Sequence, residues 1–242
     1  MKKFVISTLI AVTFASTWVS AETLTESQEK QLIEINELLR NNPSVIENLH
    51  ESLKQYVASQ AQFERVKEQS YDWLYNNPNH SITGNPNGKS VVINFTDYNC
   101  PYCKKLEVVL AQLAEENSDL KFINIYVPLQ QQQVAGIDTN SALYALNVWK
   151  QQPKAFTQVH DLLVAKNGRH TKQSLEAIAD KTNTVALLKT SDEQQMIIAR
   201  NYQTFTALGL GGTPGMLIGE QVIPGYMPYD KLKEVIESEF SK

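Results

Sequence analysis

Cys100 and Cys103 are the only two cysteines in 242 residues, and they stand together in the stretch FTDYNCPYCKKLE (95–107). No other feature constrains the chain as tightly. The pair follows KSVVINFTDY (89–98), where Val91, Val92, Ile93 and Phe95 form a short apolar run of buried-strand type. It precedes PYCKKLEVVLAQLAEEN (101–117), where Leu106, Val109, Leu110 and Leu113 recur at helical spacing and Pro101 suits a first turn. The cysteines therefore sit where a strand feeds a helix. A bridge between them closes a loop of only four residues, worth roughly 2 kcal/mol against about 5 for a loop of a hundred, which is poor placement for a staple. A structural zinc site needs four ligands, and no second cysteine pair or close histidine pair exists. His50, His80, His160 and His170 are scattered, each a solvated or a core residue.

What remains is a redox pair. Cys100 falls at the helix N-terminus, where unpaired N–H groups and the helix dipole stabilise a thiolate and lower its pKa. Such a thiolate attacks disulfides and is also a good leaving group. Cys103 lies one turn on and can resolve the mixed disulfide.

The N-terminus places this chemistry outside the cytoplasm. Lys2 and Lys3 precede a mostly apolar run, Phe4 to Val19, and Val19-Ser20-Ala21 has the small residues of a signal-peptidase site. The run is short for a membrane span and is interrupted by Ser7, Thr8, Thr13, Ser16 and Thr17. The expectation is a cleaved signal peptide over 1–21 and a soluble, exported chain from Glu22, in conditions where disulfides persist. Without Lys2 and Lys3 the chain has 20 basic against 26 acidic residues and no basic cluster, so nucleic acid is a poor partner.

FTDYNCPYCKKLE and, far downstream, LGGTPGMLIGEQVIPGY (210–226) resemble the thioredoxin-fold thiol:disulfide oxidoreductases, specifically the exported DsbA-like group. The resemblance implies that Thr213-Pro214 is a cis peptide facing the cysteines. It also implies a strand, a strand and a final helix (GMLIG, QVIPG, YDKLKEVIESEF) behind it. The implied site is Cys100 as nucleophile and Cys103 as resolving thiol, with Pro101, Tyr102, Thr213 and Pro214 against substrate; no cofactor and no metal is implied. Many relatives carry a buried acid six residues before the first cysteine, where this chain has Asn94. Asp97 is the nearest upstream carboxylate, so the group that handles the Cys103 proton stays open. Lys104 and Lys105 either tune the site or solvate the helix face. Pro101-Tyr102 with Thr213 looks more like the disulfide isomerases DsbC and DsbG than like the strongly oxidising DsbA type, which has Pro-His and a valine.

The expected fold is α/β: a thioredoxin fold over 81–242 with a helical insertion at about 136–190, preceded by a helical arm and connector over 22–80. LKFINIYVPLQ (120–130) reads as a strand. In the insertion, Asp138 is the expected cap of TNSALYALNVWKQQ, Pro153 opens the next helix and Gly168 stops it. Thr171 precedes a third helix, and Ser191-x-x-Gln194 is a capping box before a fourth. Tyr144, Trp149, Phe156 and Phe205 read as core. The front is helical to about Asn76, with a capping box at Thr25-x-x-Gln28 and a break at Asn41-Asn42-Pro43, where Asn42 is the expected cap. Asn76 to Gly88 is turn-rich. Leu32, Ile35 and Leu39, then Ile46, Leu49, Leu53 and Tyr56, align at coiled-coil-like spacing. IEINELLRNNPSVIENLHESL resembles the N-terminal segment of ScsC and related multimeric DsbA-like proteins, which implies self-association as a homodimer or homotrimer; the alternative is a helical pair folded on its own catalytic domain.

The resulting expectation is a periplasmic thiol:disulfide oxidoreductase with isomerase activity. Its partners are unfolded or misbridged exported proteins and a membrane redox protein of DsbB or DsbD type. The alternatives are a dithiol oxidase only, a Cu(I)-handling protein of copper tolerance, since two thiolates are soft ligands, or a chaperone acting through the arm.

Overall fold

The computed structural model describes residues 23–241; the leader expected over 1–21 lies outside the described residues. The chain divides into two compact units, one ending at Gln55 and one running from Tyr56.

In the first unit, helix α1 (Glu26–Asn41) starts with the expected capping box, Thr25 with Gln28. Asn42 does not cap the following helix. Its side-chain amide donates to the Leu38 carbonyl (2.9 Å) and so closes α1 instead. A single 3₁₀ turn, Pro43–Val45, leads into α2 (Ile46–Gln69). α1 buries no residue, and Leu32, Ile35, Ile46, Leu49 and Leu53 are all exposed.

The second unit takes in the end of α2. Phe63 and Leu74, the latter on α3 (Tyr71–Tyr75), are buried in its core. The sequence reading carries the arm to residue 80, whereas the division falls within α2, because these two side chains find sheet partners far away in sequence. Five strands follow: β1 (Ser81–Gly84), β2 (Ser90–Thr96), β3 (Leu120–Tyr126), β4 (Gly215–Ile218) and β5 (Gln221–Pro224). Their order is β1-β3-β2-β4-β5, with β2 and β3 parallel and every other pair antiparallel. β1 lies in the turn-rich stretch where no strand was expected. It forms because the edge of β3 offers unpaired backbone groups, and Ser81 aligns with Asn124 there.

Strand periodicity sorts the core into two layers. Val92, Phe122, Met216 and Ile218 pack with α4 (Pro101–Glu116) and α9 (Tyr229–Phe240). Ile93, Phe95, Ile123, Ile125 and Leu217 pack on the opposite face with Phe63, Leu74 and Phe205. A third apolar cluster belongs to the helices between β3 and β4: α5 (Ser141–Gln151), α6 (Pro153–Ala165), α7 (Lys172–Thr182) and α8 (Asp192–Ala207). Tyr144, Phe156 and Phe205 are buried as expected, and Trp149 is partly so. Capping boxes open α7 at Thr171 and α8 at Ser191. α5 is capped by Asn140, which accepts from the Leu143 N–H at 2.9 Å, and not by Asp138, two residues too early. α6 ends at Ala165, so Gly168 (φ +68°) turns the loop beyond it and is not the residue that stops it.

His80 and His170 are each 1% exposed, and burial pushes both from about 6.5 down to about 4. Between these values the unfolded chain binds protons that the folded chain refuses. Stability is therefore complete above pH 6.5 and falls as pH drops toward 4, by roughly 3 kcal/mol per histidine. Denaturant unfolding from pH 7 to 4.5 should show this slope, and His80→Leu should make it shallower; an unchanged slope would rule His80 out as a source.

Candidate active site

β2 ends at Thr96, and after four intervening residues the chain enters α4 at Pro101. Asp97 organises the turn between them: its carboxylate accepts from the Asn99 N–H and from the Gln130 N–H, both at 2.8 Å. Its carbonyl accepts from the Cys100 N–H (3.0 Å). Burial raises the Asp97 pKa, and the two backbone N–H groups oppose this. Asn99 ties the turn to the helical layer, donating to Ser141 Oγ (3.1 Å) and accepting from the His170 N–H (2.8 Å). Cys100 is thereby held as the N-cap of α4 with Pro101 at its first position.

The Thr213-Pro214 peptide is cis, and the Thr213 carbonyl accepts a hydrogen bond from the Cys100 thiol at 3.2 Å. The Pro214 carbonyl is taken by the Gly225 N–H (2.9 Å). β2 and β4 are antiparallel neighbours, with Phe95 opposite Gly215, so the end of β2 and the start of β4 share one end of the sheet. That is what brings residues 100 and 213 together.

The two sulfurs lie in different electrostatic environments. A hydrogen bond from the Cys103 thiol is the main cause that lowers the Cys100 pKa to about 6; burial opposes it, and the N–H groups of Cys103 and Tyr102 and the Thr213 side chain add to the lowering. Cys103 is pushed far above the usual thiol range, chiefly by burial and then by its hydrogen bond to Cys100 and the charge there. Near neutral pH the pair is one thiolate and one thiol, the division of labour that thiol exchange requires.

All six sequence-predicted site residues gather at this end of the sheet. Tyr102 is 58% exposed, and its ring centroid is 6.3 Å from that of Tyr226, which follows Gly225. Tyr226 was not singled out from sequence; an aromatic residue just past a short strand carries no signal by itself. Lys104 does not point at the thiols. Its ammonium donates to the carbonyls of Lys166 and Gly168, fastening α4 to the loop after α6. Lys105 lies over the Tyr102 ring at 5.5 Å.

Beneath the thiols is a buried polar cluster. Asn94 and Asn124 are fully enclosed, and the Asn94 amide donates to Glu107 Oε1 (3.1 Å) and Asn124 Oδ1 (3.0 Å). Glu107 lies on the buried face of α4 and also accepts from Thr96 Oγ1 (3.3 Å). A carboxylate at an apolar-face position of an amphipathic helix was the one sequence signal for this cluster.

Alkylation should separate the two thiols. Cys100 should react with a pH midpoint near 6, set by its lowered pKa, while Cys103 stays protected across the neutral range. Mass mapping after brief iodoacetamide treatment reads this directly, and equal labelling would overturn the assignment.

Residues 76–238 match the family model described as Thioredoxin. Disulfide bond formation protein D of Bacillus subtilis is 24% identical over 175 residues, which cover 65% of this chain and 76% of that protein. Two solved structures are also similar. The catalytic domain of Proteus mirabilis ScsC is 31% identical with a TM-score of 0.67, covering 74% of this chain and 98% of that one. A linker-deletion mutant of Proteus mirabilis ScsC is 28% identical with a TM-score of 0.69, covering 92% and 99%.

Proposed function

The chain belongs to the thioredoxin family, as a thiol:disulfide oxidoreductase of the DsbA type, and from that premise we propose that it reshuffles wrong disulfides in exported proteins of the periplasm. The observation that carries the reading is the contrast between the lowered Cys100 and the raised Cys103. Cys100 attacks one sulfur of a misplaced substrate bridge. The substrate S–S bond breaks, a mixed disulfide forms, and the departing substrate thiolate keeps the electron pair. That thiolate attacks another bridge of the same chain, and when the correct thiolate attacks the mixed disulfide, Cys100 leaves. Cys103 releases chains that stall.

Substrate lies across Pro101, Tyr102, Thr213 and Pro214. An ionised Cys100 has no proton to donate, so its thiolate frees the Thr213 carbonyl for an extended polypeptide. Tyr102 and Tyr226 offer exposed rings beside it. Tyr102 also brings no positive charge to the thiolate, in keeping with a pair that is less oxidising than one with histidine there. A membrane partner of DsbD type keeps such a pair reduced; one of DsbB type serves it if it acts as an oxidase.

The exposed apolar residues of α1 and early α2 support self-association. Covering each large apolar side chain is worth roughly 1.5–3 kcal/mol, and a second copy of the same arm supplies a matching surface. Two or three Cys100 sites on one assembly then hold a misfolded chain at several points. The triple substitution Leu32→Glu, Ile35→Glu, Leu49→Glu touches only exposed positions. It should yield a folded monomer by light scattering that reduces insulin normally but refolds scrambled ribonuclease at least about tenfold more slowly. A wild-type monomer at micromolar concentration, or a variant of undiminished isomerase activity, would remove the isomerase reading and leave the oxidase.

A further inference from the structure

A cavity of about 750 Å³ opens between the segment after β3 and helix α8. Ligand-binding pockets commonly hold roughly 300–1,000 Å³. None of its lining residues belongs to α4, to α9 or to the Thr213-Pro214 loop, so it is separate from the surface beside the thiols. It lies at a seam in the core. Leu129 packs with the sheet cluster that holds Phe205, whereas Val134, Ile137 and Ile198 pack with the helical layer. These side chains give the cavity an apolar floor.

The wall formed by residues 128–140 is held in shape although it contains no helix. Val134 and Ile137 pair as an isolated bridge, with Gly136 turning between them at φ +78°. The Asn140 amide donates to the Gln132 carbonyl at 2.7 Å. Within the same segment, the Gln130 N–H donates to the Asp97 carboxylate at 2.8 Å. One stretch of chain therefore walls the cavity and fastens the turn that presents Cys100.

The polar groups of the lining stand open. The Thr190 hydroxyl is buried there without a hydrogen-bond partner. A hydroxyl left in that condition costs stability, and a ligand that bonds to it recovers the loss. Among the described residues, the side chains of Gln133, Gln195 and Tyr202 make no hydrogen bond either. A carboxamide donates and accepts as a peptide group does, so it pairs with a main chain of any sequence. Asp138 is the single charged residue of the lining, and it has no ion-pair partner. With no lysine or arginine in the lining, the cavity is unsuited to phosphate or other anions and suited to a cation.

We propose that this cavity is a second polypeptide site, which takes an unfolded client segment carrying a large apolar side chain next to a lysine or arginine. The apolar side chain fills the floor, the basic group pairs with Asp138, and Thr190, Gln133 and Gln195 bond to the main chain between them. A client held here keeps its other parts close to Cys100 and raises their effective concentration there. That holding role rests on the thiol reading of Cys100; the binding itself does not.

The test uses the full chain and cysteine-free, fluorescein-labelled peptides, Gly-Phe-Lys-Gly against Gly-Phe-Glu-Gly and Gly-Ser-Lys-Gly, titrated by fluorescence anisotropy. The first should bind saturably and at least about tenfold tighter than the other two, as expected when an apolar contact or a charge pair is lost. Asp138→Lys should reverse the preference between the lysine and glutamate peptides. Thr190→Val should weaken binding roughly two- to tenfold, the worth of one hydrogen bond, without lowering the melting temperature. With p-benzoylphenylalanine in place of the phenylalanine, photo-crosslinks should map to residues 128–143 and 190–202. No saturable binding up to millimolar peptide, equal affinity for the lysine and glutamate peptides, or crosslinks confined to residues 100–105 and 213–226 would each overturn the site. Wild-type affinity in Thr190→Val would overturn the part given to its hydroxyl. The holding role is read from single-turnover reduction of a disulfide-bonded peptide with and without a Phe-Lys segment on a flexible linker. The segment should lower the half-saturating concentration about tenfold or more at an unchanged limiting rate, and Asp138→Lys should abolish that gain. An unchanged half-saturating concentration would overturn the holding role. Failure to reduce either peptide would instead refute the thiol reading and leave the binding result standing.

Discussion

The contact between the Cys100 thiol and the Thr213 carbonyl joins two points 113 residues apart in the chain, and the site depends on it. It exists because β2 and β4 run antiparallel side by side, which delivers the start of α4 and the Thr213-Pro214 peptide to one end of the sheet. The helical layer is spliced into the chain between β3 and β4 without disturbing that pairing. It is tied back through Asn99 to Ser141 and His170, and through Lys104 to the loop after α6. The helices therefore brace the turn that presents Cys100.

Polar groups under the thiols break the rule that strand positions facing a packed helix are apolar. Asn94 and Asn124 occupy such positions on β2 and β3, aligned with each other in the parallel pair. Their amide groups donate, Asn94 to Glu107 and Asn124, and Asn124 to Thr83, while the buried Asn94 Oδ1 has no partner. Well-packed apolar residues would stabilise this region at least as well.

The first unit presents the opposite imbalance. α1 is well capped, yet its apolar residues and those of early α2 face solvent, and helices draw most of their stability from packing rather than propensity. The C-terminal part of α2 is different, because Phe63 joins the sheet core. One continuous helix thus begins with exposed apolar positions and ends in a folded domain.

Local pattern determined a great deal. The strand before Cys100, the helix after it, and the capping boxes at Thr25, Thr171 and Ser191 were legible because each depends on residues within a few positions of one another. The Cys-Pro-Tyr-Cys spacing pointed to thiol chemistry for the same reason, and its resemblance to known proteins located the distant Thr213-Pro214. Long-range pairing and burial were not legible. Ser81–Gly84 is a strand only because the edge of β3 is open, and Asn140 caps α5 in place of Asp138 because the loop brings it into register with the first free N–H groups. His160, 60 residues from Cys100 and scattered among ordinary helical residues, acquires meaning only when α6 sets it 3.5 Å from Glu107. The sequence named the two sulfurs; their unequal environments, one poised as a thiolate and one held as a thiol, come from desolvation and hydrogen bonds that only the assembled layers create.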